Sequence, residues 1–218
     1  MSIQNVVIDT FFKGGPIMWP ILATSLVAVA VVAERSVWWV WLRTKAERPK
    51  LDKVYSLLEE GEIDQAMKLS SQSSDPILHV IAQGLSHHHT SLENALQVAA
   101  GIELERAGRF LTVLDTIVTL GPLLGLLGTV TGIMNAFHFV GNEEVAAIKV
   151  SGGIAEALIA TATGLTIAIT TLIPLNFFTT RVSKFTFALQ TAATNVEVLL
   201  KAIEKPEHKH EAAFTPSK

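Results

Sequence analysis

Three long apolar stretches constrain the fold of this chain more than any other feature of its sequence. Residues 17–33 and 116–140 contain no charged side chain, and residues 154–180 contain a single one, Glu156. A helix rises about 1.5 Å per residue, so about 20 residues cross the roughly 30 Å hydrocarbon layer of a bilayer. Only 17% of the residues are charged, against about 25% in an average soluble domain. We therefore expect an all-α integral membrane protein with three transmembrane helices.

The residues that flank these stretches predict the boundaries and the orientation. Trp19 stands at one end of the first span and three tryptophans, at 38, 39 and 41, stand at the other, and indoles favour the headgroup region. Lysine and arginine cluster after the first span, before the second and after the third, so the positive-inside rule predicts an N-terminus outside and a C-terminus inside. The predicted segments are a periplasmic N-terminal segment at 1–15, transmembrane helices at 16–42, 113–140 and 153–180, a helical cytoplasmic domain at 43–112, a periplasmic loop at 141–152, and a cytoplasmic C-terminal helix with a disordered tail at 181–218.

The segment between the first two spans is predicted to consist of helices. Apolar residues recur at helical spacing at its start, and Gly61 separates this first helix from a shorter one. Asp75 followed by proline is typical of a helix start, with an N-cap and then proline in the first position. We expect a long helix that begins near Ser91 to run without interruption through Arg109 into the second span, because no proline intervenes. The polar residues after Pro206 predict a disordered tail.

The second span carries a stripe of small residues. Steps of four, three and four residues place four glycines on one side of a helix: Gly121, Gly125, Gly128 and Gly132. Small residues let helix backbones approach closely in a membrane. Two interpretations are open. The stripe packs only within the chain, or it packs subunits around an axis with threonine hydroxyls, such as that of Thr129, facing a narrow lumen.

The third span combines one ionisable residue with several threonines. Glu156 lies just inside the outer end, where exposure to lipid costs a few kcal/mol, so we expect its carboxylate to face protein, water or a partner. The alternative is a carboxylate near a helix N-terminus, stabilised there by the helix dipole. At about 100° per residue, Thr163 and Thr170 share the face of Glu156 and Thr166 lies nearby, whereas Thr161 points about 140° away. The span therefore presents two polar faces.

Thr129 and Thr161 are expected to lie at comparable depth in the membrane. Counted from the outer ends of their spans, they are on the order of 16 and 12 Å deep. These depths are compatible with one polar layer formed by the two hydroxyls.

No residue pattern in the sequence predicts an enzyme or a bound cofactor. Phosphate-binding loops, nucleophilic serine turns and helices of metal ligands are all absent from it. The adjacent histidines 87–89 fan out around a helix and cannot all ligate one ion, and there is no cysteine, so no metal site is predicted. The net charge of −3 and the lack of a basic stripe predict no nucleic-acid partner.

Three segments together resemble the MotA/TolQ/ExbB proton-channel family, most closely its ExbB and TolQ branch. They read GGPIMWPILATSLVAVAVVAER, GPLLGLLGTVTGIMNAF and IAEALIATATGLTIAI. The resemblance covers all three spans in order, with a cytoplasmic domain between the first two. It implies a homo-oligomer, a pentameric ring, in the inner (cytoplasmic) membrane of a Gram-negative bacterium. The ring would surround a single-span ExbD-like or TolR-like partner that carries a membrane-embedded aspartate.

The resemblance also implies a function and a set of site residues. Protons would pass between ring and partner, and the resulting motion would reach a periplasm-spanning TonB-like or TolA-like protein. Thr129 and Thr161 would line the lumen, and Glu156 would belong to the proton pathway. The expected function is a proton-channel or stator subunit that couples the proton motive force to TonB-dependent outer-membrane transport. The alternatives are a TolQ-like subunit that drives outer-membrane maintenance and a non-conducting membrane scaffold.

Overall fold

The structure is a computed structural model that describes the backbone of residues 3–137 and 143–211 and the side chains of residues 8–137 and 148–203. Every regular element within these ranges is an α-helix. The helices are α1 Ile3–Lys13, α2 Met18–Thr44, α3 Arg48–Glu59, α4 Ile63–Ser71, α5 Pro76–Leu85, α6 His88–Gly108, α7 Leu111–Phe137 and α8 Glu143–Glu211. Three stretches are long and apolar enough to cross a membrane, one within α2, one ending with α7 and one within α8. The predicted all-α class with three spans is confirmed, and the orientation of the termini stays a prediction.

The helices form two compact units. Unit 1 comprises Met1–Ser36 and Phe110–Thr179, and unit 2 comprises Val37–Arg109 and Thr180–Lys218. All residues that the sequence singles out as candidate site residues belong to unit 1.

Unit 1 contains an N-terminal helix that the sequence analysis did not assign. This helix, α1, is joined to α2 by a tight turn in which Gly15 adopts a φ of +75°. The N–H of Met18 donates to the carbonyl oxygen of Gly15 at 3.1 Å. Met18 and Ile21 then pack against Ala160 of α8 in a small apolar cluster. The turn therefore fixes the start of the first span beside the third.

Unit 2 is held together by an apolar core. Its fully buried side chains come from α3 to α6 and the C-terminal part of α8, and they include Val54, Leu58, Ala66, Leu78, Ile81, Leu85, Leu96, Leu189 and Val196. The predicted start of α5 is confirmed, because Asp75 caps the helix and its Oδ1 accepts the N–H of Ile77 at 2.8 Å. Proline at the next position lacks the N–H that would be unpaired there.

The expectation of an unbroken helix through Arg109 is wrong. Arg109 has an extended backbone with ψ of 136°, and Phe110 adopts a left-handed φ of 63°. α7 then starts afresh, with the N–H of Val113 donating to the carbonyl oxygen of Phe110 at 3.1 Å. Gly108, the last residue of α6, has low helix propensity.

The C-terminal end differs from the sequence prediction in one further respect. α8 continues to Glu211 and thus includes residues 207–211, where the predicted disordered tail begins. Residues 212–218, the remainder of that tail, lie outside the described residues. Of the predicted periplasmic loop at 141–152, residues 141 and 142 lie outside the described residues, and residues 143–152 belong to α8.

Candidate functional site

The glycine stripe of α7 lies buried against α8 of the same chain. Its members are Gly121, Gly125, Gly128 and Gly132, all of them buried. A Cβ atom on Gly121 would lie 2.9 Å from the carbonyl oxygen of Gly164, and one on Gly132 would lie 2.9 Å from that of Gly153. Because these gaps leave no room for a side chain, the two backbones approach each other at van der Waals contact. Within a single chain, α8 therefore covers the stripe.

Thr161 connects the two helices by a hydrogen bond. Its Oγ1 donates to the carbonyl oxygen of Gly125 at 3.0 Å, and it also lies 3.1 Å from the carbonyl oxygen of Ala157 one turn earlier in α8. A Cβ on Gly125 would lie 3.0 Å from the Cα of Thr161, so the hydroxyl lies where the two backbones are in close contact. A threonine usually bonds only its own helix. Here the hydroxyl is shared between two helices.

Thr129 is placed differently from Thr161. Its side chain is partly exposed, and its Oγ1 donates to the carbonyl oxygen of Leu126 at 2.6 Å, within α7 itself. Thr161 lies level with Gly125, which is four residues from Thr129, or about 6 Å along the helix axis. The two hydroxyls are thus offset by about one turn.

Glu156 lies against the turn that joins α1 to α2. A Cβ on Gly15 would overlap the Oε1 of Glu156, so the carboxylate rests on the bare backbone of this left-handed glycine. α8 begins at Glu143, thirteen residues before Glu156, whereas the effect of the helix dipole fades within the first turn. The dipole explanation for Glu156 is therefore wrong. The turn at Gly15 is the feature that sequence reasoning missed, and its only sequence signal is the glycine pair at 14–15.

The remaining threonines of α8 bond their own helix. Thr163 Oγ1 donates to the carbonyl oxygen of Ile159 at 2.8 Å, and Thr166 Oγ1 donates to that of Ala162 at 2.7 Å. Thr170 Oγ1 likewise donates to the carbonyl oxygen of Thr166 at 2.8 Å. Thr163 is partly buried and borders a cavity of about 320 Å³, whereas the other two are exposed. These hydroxyls are already satisfied within α8, as single threonines in membrane helices commonly are.

A charged pair lies within the first span. Arg35 is buried, and its Nε and Nη2 donate to the two carboxylate oxygens of Glu34 at 2.5 and 2.7 Å. The side chain of Glu34 keeps 44% of its surface exposed. A buried arginine needs a charge partner in a membrane, so this adjacent carboxylate offsets part of the cost of burying the guanidinium.

The site of unit 1 supplies hydroxyls and one ionisable group. In the apolar stretches 116–140 and 154–180 the only acidic residue is Glu156. Thr161 follows it by five residues, about 7.5 Å along the helix. A threonine hydroxyl both donates and accepts hydrogen bonds but does not ionise near neutral pH. The arrangement therefore places hydrogen-bonding hydroxyls near one ionisable group of α8, in addition to the Glu34–Arg35 pair of α2.

Comparisons with known proteins agree on one family. The model of the MotA/TolQ/ExbB proton channel family matches residues 71–191, which is more than half of the chain. The matched region contains α7 and most of the membrane-spanning part of α8, and therefore the glycine stripe, Thr129, Glu156 and Thr161.

Individual relatives come from both named branches. ExbB-like 3 of Synechocystis sp. is 32% identical over 91% of this chain and 98% of its own length. The biopolymer transport protein ExbB of Salmonella typhimurium is 29% identical over 84% of this chain and 80% of its own. The Tol-Pal system protein TolQ of Pseudomonas aeruginosa is 39% identical over 49% of this chain and 46% of its own.

Proposed function

The chain belongs to the MotA/TolQ/ExbB proton channel family, and on that premise we propose that it is the proton-channel or stator subunit of an ExbB-like motor. In this proposal the motor lies in the inner membrane of a Gram-negative bacterium and couples the proton motive force to TonB-dependent outer-membrane transport. The ExbB-like assignment is supported by the ExbB-like relative that aligns over nearly the full length of both chains.

The observation that carries the proposal is the Thr161 hydroxyl, which bonds to Gly125 across two membrane helices. This hydroxyl is a polar group at the contact between two largely apolar helices, about one and a half turns from Glu156. Polar and ionisable groups at such depth are rare and commonly belong to ion pathways. We assign Thr161, Thr129 and Glu156 to the proton pathway, and Thr163, Thr166 and Thr170 to a second polar face on α8.

A homo-oligomer, proposed to be a pentamer, would bring these polar groups around one lumen. The outward faces of α7 and α8 carry large exposed apolar side chains, such as Met134 at 67% and Ile173 at 69% exposure, which neighbouring subunits or lipid would cover. A single-span ExbD-like or TolR-like partner would contribute a membrane-embedded aspartate. A TonB-like or TolA-like protein would receive the motion.

The energy available to such a motor follows from the membrane potential. One elementary charge that crosses a potential of 100 mV releases about 2.3 kcal/mol. A few protons per step therefore exceed the energy of an interhelical hydrogen bond, which is about 0.6–2 kcal/mol in a membrane. A contact of the Thr161–Gly125 kind is weak enough to be broken and remade in each cycle.

A TolQ-like subunit that drives outer-membrane maintenance is the second candidate. The TolQ relative has the higher identity, 39%, although it aligns over about half of this chain. Complementation separates the two candidates: rescue of TonB-dependent uptake in an ExbB-deficient host supports the first, and rescue of outer-membrane integrity in a TolQ-deficient host supports the second.

The channel itself is tested by proton flux in proteoliposomes. The full chain, co-purified with its single-span partner, should lose most of its flux when Thr129→Val and Thr161→Val are combined. The matched control is Thr131→Val with Thr179→Val, because those two hydroxyls bond only carbonyl oxygens of their own helices. Full flux in a normally assembled T129V/T161V variant would leave the non-conducting scaffold as the better explanation.

Assembly is tested by native mass spectrometry of the detergent-purified chain, alone and with the partner. A pentamer that retains the partner supports the ring. A stable monomer or dimer that does not bind the partner rejects it, and would assign Glu156 and the threonines to ordinary helix packing.

A further inference from the structure

A small basic cavity lies in unit 2, beside the ends of the apolar segments of α2 and α8. Its volume is about 220 Å³, and its charged lining residues are Arg43, Arg181, Lys184 and Asp75. A single buried water needs only about 10–15 Å³ on the same measure, so the cavity has room for a polyatomic group. Three cations against one carboxylate give the lining a net positive charge.

The one acidic side chain of the basic cavity is already held by the backbone. Asp75 is 5% exposed, its Oδ1 accepts the N–H of Ile77 and its Oδ2 accepts the N–H of Glu47, both at 2.8 Å. Neither Arg43 nor Lys184 makes an ion pair with a carboxylate of the described residues. The positive charge of these two side chains is thus not neutralised within the described part of the chain.

The position of the basic cavity along the helices corresponds to a membrane–water boundary. Arg43 is the first charged residue of α2 after Arg35, and Arg181 is the first of α8 after Glu156. Tryptophans, which favour this boundary, precede Arg43 in the sequence. One of them, Trp39, lines the cavity together with Phe185, and their rings meet edge to face with centroids 6.3 Å apart. The cavity therefore has a cationic side and an apolar side.

We propose that the basic cavity binds a phosphate group, and that Arg43 and Lys184 are its principal ligands. Guanidinium groups bind phosphate oxygens in bidentate fashion, and ammonium groups bind them as point charges. Basic pockets beside transmembrane helices at this level bind the headgroups of anionic lipids. The phosphodiester of an anionic phospholipid and free inorganic phosphate share this chemistry, and the apolar wall of Trp39 and Phe185 fits the glycerol end of the lipid.

The test uses the full chain in detergent and measures retention of phosphatidylglycerol by native mass spectrometry, with phosphatidylcholine as the neutral-headgroup comparison. A second arm measures the shift of the thermal unfolding midpoint on adding inorganic phosphate. The variant is Arg43→Gln with Lys184→Gln. The matched control is Arg48→Gln with Lys53→Gln, which removes the same two charges from exposed positions outside the cavity.

Each outcome decides the proposal. Selective retention of phosphatidylglycerol that falls by about thirtyfold in R43Q/K184Q but not in the control identifies a lipid site, since each of the two basic residues near a membrane adds about 1 kcal/mol. Stabilisation by inorganic phosphate with the same dependence on the two residues, and without lipid retention, identifies a soluble phosphate instead. An equal loss in both double variants, or no preference over phosphatidylcholine and no effect of phosphate, rejects the site.

Discussion

The hydroxyl of Thr161 donates to the carbonyl oxygen of Gly125 at 3.0 Å, across the interface of the second and third spans. Thr129, Thr163, Thr166 and Thr170 instead bond carbonyl oxygens of their own helices. Among these five threonines, Thr161 is therefore the one whose hydroxyl links two helices. The contact depends on Gly125, because a side chain there would fill the space that the hydroxyl crosses.

Removal of the Thr161 hydroxyl should measurably weaken the pairing of α7 and α8. We expect Thr161→Val to lower the free energy of unfolding by about 1 kcal/mol, and Thr161→Ser, which retains the hydroxyl, to restore most of it. Thr166→Val is the control, because Thr166 is exposed and bonds only Ala162 of its own helix. Unfolding in mixed micelles, followed by circular dichroism, measures the difference. Equal stabilities of T161V and T166V would contradict the assignment.

The sequence predicts the class of fold because membrane spans follow from length and polarity alone. Long apolar stretches with at most one charged residue identify the three spans, and Asp75 followed by proline identifies the start of α5. The break between α6 and α7 was not predictable in this way. It depends on the left-handed backbone of Phe110, a residue that rarely adopts this conformation and gives no pattern to read.

The sequence predicted which residues form the candidate site, but not which residues they contact. Periodicity places Glu156 and Thr161 on different faces of α8, yet it does not say what each face meets. The neighbour of Glu156 is Gly15, which lies 141 positions earlier in the chain. Packing over such a separation depends on how α1, α2 and α8 associate, and no local pattern encodes it.

The glycine stripe should tolerate no added methyl group. In Gly125→Ala the new Cβ would lie 3.0 Å from the Cα of Thr161, so the helices must move apart, at a cost of about 1–3 kcal/mol. Gly152→Ala is the control within α8, because no atom of the described residues lies within 4 Å of the added Cβ. There alanine should be neutral or stabilising by up to about 1 kcal/mol, through its better helix propensity. Thermal unfolding of both variants tests whether the two changes in stability have opposite signs. A G125A variant as stable as the parent protein would exclude close packing at the stripe.

Gly15→Ala should disturb Glu156, and Gly61→Ala should not. Both glycines have a left-handed φ, +75° and +81°, so both variants carry backbone strain of about 1–2 kcal/mol. Only at Gly15 does the added Cβ meet the carboxylate of Glu156, whereas at Gly61 it has no neighbour within 4 Å in the described part of the chain. We therefore expect G15A to lose at least as much stability as G61A, and only G15A to lose proton flux. A similar proton flux in the two variants would show that Glu156 does not belong to the proton pathway.

Tyr55 makes the stability of unit 2 sensitive to alkaline pH. Burial against the apolar core raises the pKa of its phenol above the usual value near 10, and a hydrogen bond with Asn195 opposes part of this rise. Because the folded state disfavours the phenolate, the contribution of Tyr55 to stability is fully present below about pH 10. It is lost as the pH rises through the higher pKa of the folded protein.

Tyr55 is the only tyrosine in the chain, so its phenolate absorbance reports this pKa directly. We expect a titration midpoint above 10 in the folded protein and a return towards 10 in denaturant. Tyr55→Phe should unfold less readily than the parent protein above pH 10, and a midpoint at or below 10 in the folded protein would show that the phenol is solvated.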